Sequence, residues 1–208
     1  WGVSTRLIGG LIMCHADDDG MVMPPRISPA HVVLLPIIRK ETDRQTVMTV
    51  VDNLARRLKS ITYAGRLLTV ETAARDIGGA RNWEWIKKGI PLRVEIGPRD
   101  IEQNSVAVAR RDRSHRDKTF LGLDQFEAEI VNILDDIQAT LLGRAVAHRE
   151  QNTLRIDDQK TFYEFFTPKN PDNPEIHGGF ALSPWCGSAR CEEKIKDDLS
   201  VTIRCLPL

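Results

Sequence analysis

From residue 31 onward, strand-like apolar segments alternate with segments whose apolar residues recur at helical spacing, and the alternation predicts an α/β domain. HVVLLPII, starting at His31, is a continuous β-branched and leucine run, the pattern of a strand buried on both faces. TVMTVVDNLARRLKS (46–60) predicts a helix, with Arg56, Arg57 and Lys59 in its last turns, where the helix dipole favours cations. RLLTVE predicts a second strand, and NWEWIKKG a helix ended by Gly89 at the position just past its C-cap. PLRVEIGP predicts a third strand closed by Gly97-Pro98, and SVAVARRD a fourth. Phe126 to Arg149 predicts a long amphipathic helix with Ile130, Ile133, Leu134, Ile137, Leu141 and Leu142 on one stripe. The order β-α-β-α-β-β-α calls for a small mixed sheet flanked by helices.

The residues before His31 follow another pattern. Ser4 to Met13 predicts a short apolar helix interrupted by Gly9 and Gly10, a pair that implies close packing or a ligand. HADDDG (15–20) predicts a turn with three carboxylates, and MVMPPR an extended stretch stopped by Pro24 and Pro25. Ser28 and Pro29 form a linker.

Charge and composition narrow the classes. Lys plus Arg equals Asp plus Glu at 29 each, so there is no bulk pull toward nucleic acid and any RNA contact needs a local basic patch. The apolar runs fall far short of the roughly 20 residues of a membrane span, and the N-terminus lacks the charged and apolar regions of a signal peptide. Four cysteines without dense spacing read as a reduced, cytoplasmic chain without a membrane partner.

Three groups carry candidate chemistry. Arg6 offers a permanently charged bidentate fork beside the hydroxyls of Ser4 and Thr5, a set suited to a triphosphate, and Gly2 lets backbone come close; the plainer reading is an ordinary helix N-cap. His15, Asp17, Asp18 and Asp19 have hard-cation chemistry, but consecutive acids in a turn read as a solvated surface, and no catalytic role is assigned. Arg99, Arg110, Arg111, Arg113, His115, Arg116 and Lys118 concentrate positive charge after the third and fourth strands, with Arg75 and Arg81 in the preceding loop. Such a patch serves phosphates and unpaired bases, while Asp100, Asp112 and Asp117 support a salt-bridged surface instead. Trp83 and Trp85, two residues apart, face different sides of a helix, so at least one belongs to the core, and neither is assigned to a site.

WGVSTRLIGGLIMCHADDDGMVMPPR resembles motif 3 of class II aminoacyl-tRNA synthetases, in the form found in prolyl-tRNA synthetases of the archaeal and eukaryotic type. KGIPLRVEIGPRD (88–100), followed by Arg110-Arg111-Asp112, resembles the anticodon-binding domain shared by the synthetases for proline, threonine, histidine and glycine. HREQNTLRIDDQKTFYEFF and GGFALSPWCGSARCEEKIKDDLSVTIRCLP resemble the small domain appended to archaeal and eukaryotic-type prolyl enzymes. The resemblance implies the end of a catalytic domain over 1–28, a mixed-sheet α/β anticodon-binding domain over 29–125, and a small α+β zinc-domain-like region over 126–208. It implies a C-terminal portion of an enzyme that activates proline with ATP and Mg and transfers it to tRNA-Pro, working as a homodimer through a catalytic domain whose other motifs would precede Trp1. The chain alone is not expected to aminoacylate tRNA. By the same resemblance Gly2, Ser4, Thr5 and Arg6 bind ATP, with Arg6 catalytic on the phosphates, and Arg81, Arg99, Arg111 and His115 contact the anticodon.

The chain departs from the family pattern in two places. Where the family reads Pro-Gly-aromatic-Lys-Phe-x-Glu-Trp-Glu-x-Lys-Gly, residues 78–89 here put Ile86 in place of an anticodon-reading glutamate, and isoleucine accepts no hydrogen bond from guanine. Altered anticodon readout is therefore expected. Cys186 and Cys191 match half of the family's structural zinc site; His177 or Cys205 would have to complete it, so no metal is assigned and the thiols are expected to be buried and apolar. Two rival readings remain: a non-catalytic tRNA- or RNA-binding module, and a specialised duplicate synthetase with relaxed anticodon readout.

Overall fold

The structure, a computed structural model, describes residues 2–73, 79–170, 172 and 179–204, with the backbone alone over 79–82. The chain forms two compact units, residues 1–142 and 143–208. Among the described residues no helix is long and apolar enough to cross a membrane.

The first unit opens with α1 (Arg6–Cys14), followed by the hairpin strands β1 (Ala16–Asp17) and β2 (Gly20–Met21). Then come β3 (Val32–Pro36), α2 (Arg44–Leu58), the hairpin β4 (Thr62–Tyr63) and β5 (Arg66–Leu67), β6 (Val70–Thr72) and α3 (Gly79–Lys88). β7 (Leu92–Ile96), α4 (Pro98–Glu102), β8 (Ser105–Arg110), β9 (Thr119–Gly122) and α5 (Leu123–Gln151) as far as Leu142 complete it. One sheet has the order β6-β3-β7-β8-β9, with β6, β3 and β7 parallel and β8 and β9 antiparallel to their neighbours. This is the mixed sheet that the sequence predicts.

Alternation along β3 and β7 splits the core into two layers. Val32, Leu34, Leu92, Val94 and Ile96 join α2 through Val47, Val51, Leu54 and Leu58, and α5 through Phe126, Ile130, Leu134 and Ile137. Val33 and Leu35 meet Ala30, Ile90 and Trp85 on the other layer. β3 is thus buried on both sides, which is why its sequence reads as an unbroken apolar run, while β7 alternates Leu92, Val94 and Ile96 with Arg93 and Glu95. The first unit reaches Leu142 because α5, starting at Leu123, lays its first turns across the sheet. Leu142 itself, on the expected stripe, is exposed.

RLLTVE is not one strand. Ala64 and Gly65 both have positive φ, 48° and 82°, the conformation of the two-residue turn that best joins antiparallel strands, so Arg66 and Leu67 pair with Thr62 and Tyr63 while Val70–Thr72 enters the sheet. Gly89 ends α3 as expected: its N–H reaches the Ile86 carbonyl at 2.9 Å and the Ile90 N–H reaches that of Trp85 at 3.4 Å, the paired bonds of a helix C-terminus closed by a residue of positive φ, here 74°.

Buried His31 takes the Thr69 N–H on Nδ1 at 2.9 Å and lies edge-on to Tyr63, with ring centroids 5.6 Å apart. Burial, and then the Arg66 guanidinium, push its pKa down to about 4 from 6.5. A histidine lowered by folding keeps its full stability above the unfolded pKa and loses it as pH falls toward the folded one. At about 1.4 kcal/mol per pKa unit the loss between pH 6.5 and 4 reaches about 3 kcal/mol. Urea midpoints are expected to fall over that interval, and to fall less in His31→Asn; equal acid sensitivity of the two proteins contradicts this origin.

The second unit contains β10 (Thr153–Arg155), α6 (Gln159–Phe166), β11 (Phe180–Leu182) and α7 (Ala189–Leu199), with β10 and β11 pairing in parallel. Asp158 caps α6 by accepting the Thr161 N–H at 2.8 Å. It is a small α+β unit, as expected.

Candidate nucleic-acid interface

Strand direction decides where the basic residues go. β8 runs antiparallel to β7, with Arg110 opposite Leu92 and Ala107 opposite Glu95, so the β8–β9 loop (111–118) leaves the sheet at the end where β7 begins. Arg99, in α4, follows the end where β7 finishes. The sequence cluster is therefore divided between the two ends of the sheet. Arg99 is exposed and has no ion pair among the described residues.

Arg110 and Arg111 are held within the protein. Arg110 grips Asp112 with two bonds of 2.8 and 2.9 Å and also pairs with Asp136. Arg111 is only 4 % exposed: its fork holds Asp17, its Nε donates to the Ile86 carbonyl at 3.1 Å and its Nη2 to the Gly20 carbonyl at 3.1 Å. The Arg111 hydrogen bond keeps the Asp17 carboxyl below the usual carboxylate range. Arg111 is thus a tie between the β1–β2 hairpin and α3, and its expected place on the anticodon-facing surface is corrected. Two glycines complete the junction: a Cβ on Gly20 would lie 2.5 Å from Lys87 Cα, and one on Gly89 would lie 2.6 Å from the Met21 carbonyl carbon. Arg111→Leu strips donors from two carbonyl oxygens and is expected to cost about 2–3 kcal/mol. Lysine, a point charge without a fork, recovers only part of it. A urea midpoint unchanged in Arg111→Leu contradicts the tie.

Asp17 and Asp19 are accordingly not a simply solvated turn. Asp19 Oδ2 lies 3.4 Å from His115 Nδ1, and the His115 ring sits 4.9 Å from that of Trp83. The His115 carbonyl accepts a bond from Arg93 Nη2 at 3.5 Å. Arg93 is 1 % exposed, and burial, then the neighbouring Arg111, bring its pKa to about 10. Sequence reasoning missed Arg93, although LRVEI carried the signal: Leu92, Val94 and Ile96 share one face, so Arg93 and Glu95 must share the other. Glu95 is bridged by Lys118 at 2.7 Å. Exposed Arg113, 4.0 Å from Asp136, and exposed Arg116 are the open cations of this loop.

On α3 the two tryptophans part as expected: Trp85 packs on the core with Lys88 Nζ 4.5 Å above its ring, while Trp83 is 38 % exposed. Ile86 is 2 % exposed, so in this chain the position of the family's glutamate is an interior one. Arg75 and the Arg81 side chain lie outside the described residues.

Ser4, Thr5 and Arg6 stand exposed at the start of α1, and Thr5 makes no side-chain cap bond, so the hydroxyl is not used as an ordinary N-cap. Gly2, Gly9 and Gly10 have open space where a Cβ would be. Leu7, Ile8 and Ile12 are at least half exposed, leaving the apolar side of α1 uncovered in this chain. Cys186 and Cys191 come together near the start of α7, but exposed rather than buried. The Ser188 backbone and the Cys191 thiol lower the Cys186 pKa, and the Cys186 contact raises that of Cys191. Two sulfurs are half of a tetrahedral zinc set, and among the described residues no three metal-ligating side chains lie together. His177 and Cys205 lie outside the described residues.

Comparison with known proteins places this geometry. The family described as "Anticodon binding domain" matches residues 31–133, and "Prolyl-tRNA synthetase, C-terminal" matches residues 174–208. The whole chain is 49 % identical over 210 residues to a proline–tRNA ligase of Protochlamydia amoebophila, of which it covers 41 %. It is 47 % identical over 213 residues to proline–tRNA ligase 2 of Anaeromyxobacter dehalogenans, of which it covers 42 %. The chain thus spans about two fifths of the length of these curated relatives. The crystal structure of a prolyl-tRNA synthetase from Cryptosporidium parvum, complexed with L-proline and AMP, superposes with a TM-score of 0.77 at 29 % identity, over 96 % of this chain and 40 % of that one. Along its whole length the chain is thus similar to the C-terminal portion of prolyl-tRNA synthetases, with matches to their anticodon-binding and C-terminal domains.

Proposed function

We propose that this chain is the tRNA-holding part of a proline–tRNA ligase that activates proline with ATP and transfers it to tRNA-Pro. The observation that carries the reading is the joint occurrence of the two family matches on a chain aligned along its whole length with named proline–tRNA ligases. The likeness to the Cryptosporidium parvum enzyme over 96 % of the chain supports the archaeal and eukaryotic type, here in a chain that is also similar to ligases of Protochlamydia amoebophila and Anaeromyxobacter dehalogenans. Ser4, Thr5 and Arg6, exposed together with their polar groups unspent, serve the nucleotide: the hydroxyls hydrogen-bond it and the guanidinium neutralises phosphate charge. ATP arrives with Mg, and the enzyme dimerises through its catalytic domain in the cytoplasm, where its tRNA partner is used.

The anticodon loop is held by exposed cations rather than by the whole basic cluster. The His115 loop, with exposed Arg113 and Arg116, supplies that surface and Arg111 supports it from below, while Arg99, exposed at the other end of the sheet, makes a separate contact with the RNA. Arg81, whose side chain lies outside the described residues, is assigned to the anticodon by family resemblance alone. The interior position of Ile86 favours relaxed anticodon readout, as in a specialised duplicate. Charging assays on the full-length protein that contains this chain, with proline, ATP and a tRNA-Pro transcript, test the reading: prolyl-tRNA is the expected product, and absence of proline-dependent charging overturns it in favour of a non-catalytic RNA-binding module.

A further inference from the structure

We propose that Trp83 and His115 form a stacking platform for one unpaired base of the bound RNA, an inference that rests on the tRNA-binding reading above. A tryptophan on a helix that faces a sheet is ordinarily spent on packing, and Trp85 is spent that way. Trp83 keeps 38 % of its surface open and meets His115, 32 % open, at 4.9 Å with the ring planes tilted by 52°. The tilt keeps the two rings from covering each other's faces, so both retain π surface that water does not solvate well. Every nucleobase has a flat face to match it.

The platform is fixed in place. His115 is held through Nδ1 by Asp19 and through its carbonyl by Arg93, and the hairpin that carries Asp19 is tied to α3 by Arg111. Ordering entropy is therefore spent in folding rather than on binding. Cations flank the rings: Lys87 follows Trp83 by one helical turn on the same face of α3, and Arg116 is the neighbour of His115. Both are exposed, and among the described residues neither has an ion pair. An aromatic surface bordered by unspent cations fits a single-stranded segment, with the base on the rings and its phosphates on Lys87 and Arg116.

The test is binding of a tRNA-Pro transcript to the full chain and to Trp83→Phe, Trp83→Leu and Lys87→Ala, over a salt series. Trp83→Leu keeps apolar bulk without a π face and is expected to weaken binding about tenfold with the slope against salt unchanged, whereas Trp83→Phe stays within about threefold. Lys87→Ala is expected to lower the salt slope by about one, the signature of a lost phosphate contact. Leucine binding as tightly as tryptophan overturns the platform. Wild-type chain that binds no transcript overturns the tRNA reading itself, a separate outcome.

Discussion

Phe126→Ala is expected to destabilise the first unit by about 3–5 kcal/mol, the cost of emptying a large aromatic site in a close-packed core. Phe126 is fully buried in the cluster that also contains Val94, Val106, Ile130 and Leu134, where the opening turns of α5 lie on the sheet. Truncation removes the apolar transfer energy of the ring and leaves a cavity that the strands cannot close, since β7 and β8 are fixed by their ladder. Phe126→Leu, which fills most of the volume, is expected to cost much less. Urea unfolding of the two variants measures the difference, and a loss below about 1 kcal/mol for alanine would contradict the packing of α5 on this sheet.

The second large effect is catalytic. In the full-length protein that contains this chain, Arg6→Ala is expected to lower proline-dependent ATP–pyrophosphate exchange by about 10²–10³-fold, the loss seen when one preorganised donor to a developing anion is removed. Arg6 stands exposed at the first position of α1, beside hydroxyls that no cap bond consumes. Because phosphate charge grows as pyrophosphate departs, the fall belongs mainly in kcat rather than in KM for proline. Arg6→Lys keeps the charge but not the fork and recovers part of the rate. Unchanged exchange in Arg6→Ala would remove this segment from the nucleotide site.

What could be read before folding follows from where each signal lives in the chain. The run at 32–36 predicts its strand because both faces of the sheet are covered there, 92–96 predicts its strand by alternating apolar Leu92, Val94 and Ile96 with charged residues, and Ile130, Leu134 and Ile137 predict α5 because one stripe is buried. β9 was not legible: Thr119 and Phe120 are exposed, so an edge strand of four residues leaves no apolar period. The turn at Ala64-Gly65 was available in the sequence, but the apolar residues on either side of Thr69 masked it. The site was less legible than the fold. Charged residues read as surface unless a partner is known, and the partner of Arg111 is Asp17, 94 positions away. Only the closed fold brings the two together, and with them the support for His115. For Ser4, Thr5 and Arg6 the proposed nucleotide role comes from three adjacent letters, and the structure adds that the three residues stand exposed with no side-chain cap bond.

The proposal that this chain holds tRNA-Pro through exposed cations, with the His115 loop at one end of the sheet and Arg99 at the other, is tested most directly by equilibrium binding of the full chain to a tRNA-Pro transcript and to one with an altered anticodon, from low to moderate salt. The account predicts binding that weakens steeply with salt for both transcripts and a small preference for the natural anticodon, because phosphate contacts remain while Ile86 is interior and Arg111 is sealed by Asp17. Binding to neither transcript, or binding that salt does not weaken, would contradict it.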